Sequence, residues 1–109
     1  MRRSVPITLA AGSLLATLLA ARAAAPATFH GRSVDGRRYQ ASVLNNDYGM
    51  IDGVEVRFQS EHAYVYLRNG GRLVLILQDE DIADPHRIPA EDPRRGTMWE
   101  IDVRDLDGR

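Results

Sequence analysis

Val54-Glu55-Val56-Arg57-Phe58-Gln59-Ser60, then Glu61-His62-Ala63-Tyr64-Val65-Tyr66-Leu67-Arg68, then Asn69-Gly70-Gly71-Arg72-Leu73-Val74-Leu75-Ile76-Leu77 is the stretch that decides the fold. In the first run Val54, Val56 and Phe58 alternate with Glu55, Arg57 and Gln59. A period of two places those sets on opposite faces of a half-buried strand. The second run puts Ala63, Val65 and Leu67 on one face and Tyr64, Tyr66 and Arg68 on the other. Short turn-forming groups separate the runs, so consecutive strands pair antiparallel as a meander. The third run loses its polar alternation after Arg72, which predicts a strand covered on both faces and therefore a closed barrel or two packed layers.

Outward from this stretch the same grammar continues. Residues 28–33 and 38–44 read as short strands flanking Val34-Asp35-Gly36-Arg37, where Asp-Gly predicts a hairpin turn. Asn45-Asn46-Asp47-Tyr48-Gly49 breaks the alternation with residues that tolerate left-handed backbone, and residues 45–53 read as a loop. Met98-Trp99-Glu100-Ile101-Asp102-Val103 supplies a last strand with Trp99, Ile101 and Val103 inward. The expected fold is all-β, a small antiparallel barrel or compact sandwich of about six strands. Its core candidates are Phe29, Tyr39, Val43, Val56, Phe58, Val65, Leu67, Leu73, Leu75, Leu77, Trp99 and Ile101.

Between the third run and the last strand lies an acidic, proline-bearing connection, residues 78–97. Asp84-Pro85 and Asp92-Pro93 are turn starters, because aspartate accepts backbone hydrogen bonds and proline presets φ, and Gly96 suits a left-handed closing position. Connections longer than about 12 to 15 residues are often functional, which makes this loop a place to look for a site.

The first 23 residues follow a different rule. Met1-Arg2-Arg3 precedes an uncharged run from Ser4 to Ala21, and Ala21-Arg22-Ala23 offers a small-x-small cleavage site before Ala24. This is the order of a signal peptide, with an apolar core too short for the roughly 20 residues of a membrane span. Arg2-Arg3 lacks the fuller twin-arginine motif, so general secretion is expected. The expected organisation is a helical signal peptide over residues 1–23, a short linker at 24–27, a β domain at 28–104 and a flexible tail at 105–109. The alanine-rich leader and all-arginine basic residues suggest a bacterial protein, periplasmic or secreted, with no membrane span after cleavage.

Charge narrows the partners. Without residues 1–23 the chain carries 11 arginines against 15 acids, a formal charge of −4, with the acids concentrated after residue 78. Nucleic-acid binders show the opposite excess, since phosphate contacts supply most of their affinity. No cysteine is present, so neither a disulfide framework nor a lipid anchor through cysteine is available. A small exported domain of this kind relies on packing, an ion or a partner.

Three constellations remain. Tyr64 and Tyr66, with Arg68 continuing their row, offer flat apolar surface and hydroxyls for an envelope or extracellular protein or glycan if exposed. The apolar run beside them favours burial. Asp79, Asp81, Asp84 and Asp92 are candidate calcium ligands, an ion that takes six to eight oxygens, although their spacing is not that of an EF-hand. His86 with Asp84 or Asp92 is a candidate acid–base pair for a small hydrolase. The hydroxyls lack a nucleophile elbow, and no two histidines share metal-binding spacing. The leading expectation is a non-catalytic binding or envelope-associated module, with no catalytic residues and no obligatory cofactor.

Overall fold

A computed structural model of the chain describes residues 25–106, so the expected signal peptide and the end of the tail lie outside the described residues. Nine strands are described: β1 (Thr28–Phe29), β2 (Arg32–Ser33), β3 (Arg38–Asn45), β4 (Gly49–Gln59), β5 (His62–Tyr66), β6 (Arg72–Leu77), β7 (Asp81–Ile82), β8 (Ile88–Asp92) and β9 (Thr97–Val103). Six of them close an antiparallel barrel in the order β3-β4-β5-β6-β8-β9, and β1, β2 and β7 form a small separate sheet. The all-β barrel expected from the alternation is therefore the fold.

The interior follows the pattern of each strand. Phe58, Leu75, Ile101, Val43, Val54, Val56, Val65 and Val103 are wholly buried, contributed by every barrel strand except β8, which adds Ile88 and Ala90. Nine of the twelve expected core residues are buried, and Phe29, Leu67 and Leu73 pack against them from the rim.

Membership of the barrel differs from the sequence reading in three places. The 45–53 loop is only a three-residue turn, residues 46–48, because β4 starts at Gly49. Alternation was hidden there by a bulge: Ala41 faces Val54 but Val43 faces Ile51, so Asp52 and Gly53 together oppose Ser42. Gly53 supplies the left-handed backbone, φ 67°, that such a bulge uses.

The Asp35-Gly36 pair does not make a hairpin. β2 turns back on β1 through His30-Gly31, whose positive φ values of 52° and 76° suit a tight two-residue turn. Asp35 instead bridges to Phe58, and the Gly36 N–H donates to the Phe58 carbonyl at 2.9 Å.

Residues 78–97 are not one loop. They hold β7 and β8, and β8 is the strand that closes the barrel, pairing with β9 over five positions and with β6 over two. Pro89 disguised it, since proline is rare inside a central strand. Its missing N–H falls where the β6 ladder has already ended at Leu77 and Ala90, while its carbonyl accepts the Gln78 N–H at 3.2 Å. The expected turns within the segment do form: His86 N–H donates to Asp84 Oδ1 at 2.9 Å, Gly96 N–H to the Asp92 carbonyl at 2.8 Å, and Gly96 has φ 68°.

The two ends of the barrel are unlike. At one, the β1–β2–β7 sheet and the connections at 34–37 and 78–87 act as a plug, with Ala27, Val34, Ile82 and Leu106 buried. At the other, only the hairpin turns 46–48, 67–71 and 93–96 project beyond the strands.

Candidate functional site

Tyr64 and Tyr66 point outward from β5, since Ala63 and Val65 take the inner face, and both rings are half-buried. What covers them is not a second layer but arginine. The Arg38 guanidinium lies 4.3 Å from the Tyr66 ring centroid, and those of Arg57 and Arg72 lie 5.0 and 5.5 Å from the Tyr64 ring. Register explains the convergence: Arg57 opposes Tyr64 across β4–β5, and Arg72 opposes Tyr66 across β5–β6. The rows share a face because all these positions have the same parity. A guanidinium over an aromatic face gains from the ring quadrupole while its edge stays available to a partner.

Charge on this face is not balanced. Arg38 pairs with Glu55 at 3.2 Å, whereas Arg57 donates to Tyr66 Oη at 3.3 Å and to Gln59 at 3.4 Å. Among the described residues neither Arg57 nor Arg72 has a carboxylate within ion-pair distance. The hydrogen bond from Arg57, with the nearby charges of Arg57, Arg38 and Arg72, holds the Tyr66 phenol below its usual range, and the same bond raises Arg57. His62 extends the row, its ring stacked 6.1 Å from Tyr64.

The third residue of the sequence-derived site sits apart. Arg68 lies beyond β5, with its guanidinium against Gly53, where a Cβ would come within 3.2 Å of Nε. There it joins a different cluster on the bulge. Ser42 Oγ and the Gly53 N–H donate to Asp52 Oδ1, and Arg104 Nη2 stands 3.4 Å from the same oxygen. These hydrogen bonds, helped by the charges of Arg104 and Arg68, hold the Asp52 carboxyl below its usual range against the opposing effect of desolvation.

The four candidate calcium ligands are divided between the ends of the barrel. Asp79, Asp81 and Asp84 line one recess of about 230 Å³ at the plugged end, together with Arg87, Ile88 and Pro89. Asp92 is at the hairpin end, buried, with Oδ1 accepting the Arg94 N–H at 3.0 Å and Oδ2 facing Arg95 at 3.4 Å. The others are engaged locally too: Asp79 accepts the Asp81 backbone N–H at 2.9 Å, and Asp81 accepts the Thr28 side-chain hydroxyl. Among the described residues no three His, Asp or Glu side chains stand together as an ion site.

The His86 ring meets a partner that the sequence did not suggest. Its Nδ1 lies 2.9 Å from Asp102 Oδ1 on the exposed face of β9, while Asp84 accepts its backbone N–H at 2.9 Å and Asp92 is at the far end of the barrel. Sequence reasoning missed Asp102 because the pair joins a connection to a strand sixteen positions on.

It also missed the open end. Trp99 is 5% exposed, and Tyr48 stacks on it with centroids 6.0 Å apart and planes 11° from parallel. Tyr48 fell in the segment read as loop, so nothing in the alternation tied it to β9. Family models, curated proteins and solved structures were all compared with this chain, and none of them matches it.

Proposed function

We propose that the chain is an exported, non-catalytic binding module of the cell envelope or extracellular space, and that its contact surface is the arginine–tyrosine face. The leader at residues 1–23 supports export. The observation that carries the reading is the placement of three guanidinium groups over Tyr64 and Tyr66 on a chain whose overall charge is negative. A cationic, aromatic strip on an acidic protein selects for an anionic partner with flat apolar faces, and a carboxylated glycan meets both requirements. Arg72 and Arg57 supply the charges, and the tyrosine rings hold those guanidinium planes flat against the sheet.

The test is retention on immobilised polygalacturonate, with neutral dextran as the control. The wild-type chain binds the acidic polymer and releases it as salt rises, because charge–charge contacts between exposed groups are screened. Tyr64→Ala and Arg72→Ala each weaken retention by roughly two- to fivefold, in line with a loss of about 0.5–1 kcal/mol for an exposed cation–π contact. Equal retention of wild type and both variants, or equal binding to dextran, rejects the face as the site.

A further inference from the structure

The hairpin end of the barrel carries features that the outer face does not use. All four large apolar side chains that stand exposed among the described residues, Leu44, Tyr48, Met50 and Met98, belong to this end. Tyr48, Ile51, Leu67, Leu73, Arg95 and Trp99 line an open recess of about 210 Å³. Trp99 also borders a neighbouring recess beside Leu44 and Met98. Barrel mouths are places where small ligands bind, between apolar walls and a few convergent polar groups.

Two polar groups close to this end are unanswered. Trp99 Nε1 and Thr97 Oγ1, two positions apart on the inner side of β9, are buried and have no hydrogen-bond partner among the described residues. Buried donors in folded proteins are almost always paired, because an unmade bond forfeits the hydration the group enjoyed when unfolded. An indole N–H only donates, so what it lacks is an acceptor. Arg95 adds further N–H donors at the rim, of which the Asp92 carboxylate takes one at 3.4 Å.

We propose that this open end binds a small aromatic or aliphatic molecule bearing a carbonyl or carboxylate oxygen. Its apolar part lies against Trp99, Tyr48, Leu67 and Leu73, and its oxygen, on displacing the side chains that close off this group in the free protein, accepts the Trp99 N–H. The recess holds one ring with a short acid or amide arm and not a polymer, which separates this site from the glycan face. Arg95 and Asp92 balance each other, so a neutral amide and an acid both fit, whereas an amine of the same shape brings no acceptor. The two proposals stand on different residues and fail separately.

Trp99 is the only tryptophan of the chain, so its fluorescence and its single indole N–H resonance report on this site alone. The probes are phenylacetate, phenylacetamide and phenethylamine, closely similar in shape and differing in the acceptor. Phenylacetate and phenylacetamide give saturable fluorescence changes below about 10 mM and move the indole proton downfield, whereas phenethylamine binds roughly tenfold more weakly or not at all. Tyr48→Ala, at a side chain 61% exposed and so safe for folding, weakens the acid and the amide together. No saturable change with the acid or the amide overturns the proposal. So does equal binding of all three probes, or binding that Tyr48→Ala leaves unchanged.

Discussion

The Asp35 carboxylate accepts the Ser60 backbone N–H through both of its oxygens, each at 3.1 Å, and with Oδ1 also takes the Ala27 N–H at 3.0 Å. One side chain thereby ties the β4–β5 turn to the chain entering the plug. The turn needs the help, since Ser60 sits at φ 56°, a left-handed conformation that L-residues disfavour. Asp35→Ala strands two N–H groups and should cost about 1–3 kcal/mol in denaturant unfolding. Ser60→Gly removes the backbone penalty and should recover up to about 1 kcal/mol, which places the two substitutions on opposite sides of wild type.

Tyr66 gives a pH signature of the arginine face. Its folded-state pKa lies below the ordinary 10.0, so the phenolate contributes stability that is fully present above the unfolded value and lost as pH falls through the folded one. The stability difference between wild type and Tyr66→Phe should therefore grow as pH is raised from neutrality towards 10.0. Spectrophotometric titration checks the cause directly: in Arg57→Ala the earliest-titrating tyrosine moves to higher pH, and in Tyr66→Phe that step disappears.

The Asp52 bulge behaves as the acid counterpart. Its pKa is depressed, so its contribution is present above the ordinary 3.8 and lost as pH falls through the folded-state value. Asp52→Asn and wild type should differ in melting temperature at neutral pH and converge in acid. Gly53→Ala meets both a positive φ of 67° and the Arg68 side chain 3.2 Å from the new Cβ, and should destabilise by about 1 kcal/mol or more.

The barrel is not equally sewn all the way round. β3 and β4 share seven register pairs whereas β6 and β8 share two, so the β6–β8 seam is the weakest in the wall. Hydrogen exchange should be fastest, among barrel strands, for the seam-facing amides of Ile76 and Glu91, because local opening runs along the least paired boundary, whereas the Leu77 N–H is held on the other side by the Glu61 carbonyl at 2.7 Å. Leu75→Ala, wholly buried beside it, should cost about 2–5 kcal/mol.

Calcium should leave the melting temperature unchanged at millimolar concentration, since Asp92 is at the opposite end of the barrel from Asp79, Asp81 and Asp84. A ligand that binds only the native state must raise its stability. A calcium-dependent rise would therefore identify an ion site despite that separation.

The legible part of this fold is the part where period two runs unbroken. Val54 to Phe58 and Ala63 to Val65 announced their faces, and the core they define is where they put it. β8 was hidden because proline and acids imitate a loop, although Ile88, Ala90 and Asp92 do alternate inward. The start of β4 was hidden because a bulge shifts the parity at Asp52-Gly53, and a single shift turns every earlier side chain to the other face. Val74 and Ile76 made β6 look sandwiched, whereas they stand half-buried on the outside, opposite Tyr64 and His62. The tyrosine pair could be found by spacing alone. Its arginines could not, because Arg38, Arg57 and Arg72 meet only through strand register.

The plug and the hairpin end also settle how this domain can be wired into something larger. Residue 25 enters and residue 106 leaves on the plugged side, where β3 begins and β9 ends. A tether at either terminus, whether a surface used for immobilisation or a fused neighbour, therefore holds the barrel by its closed base. The mouth around Trp99 is then presented outward, like a cup held from below.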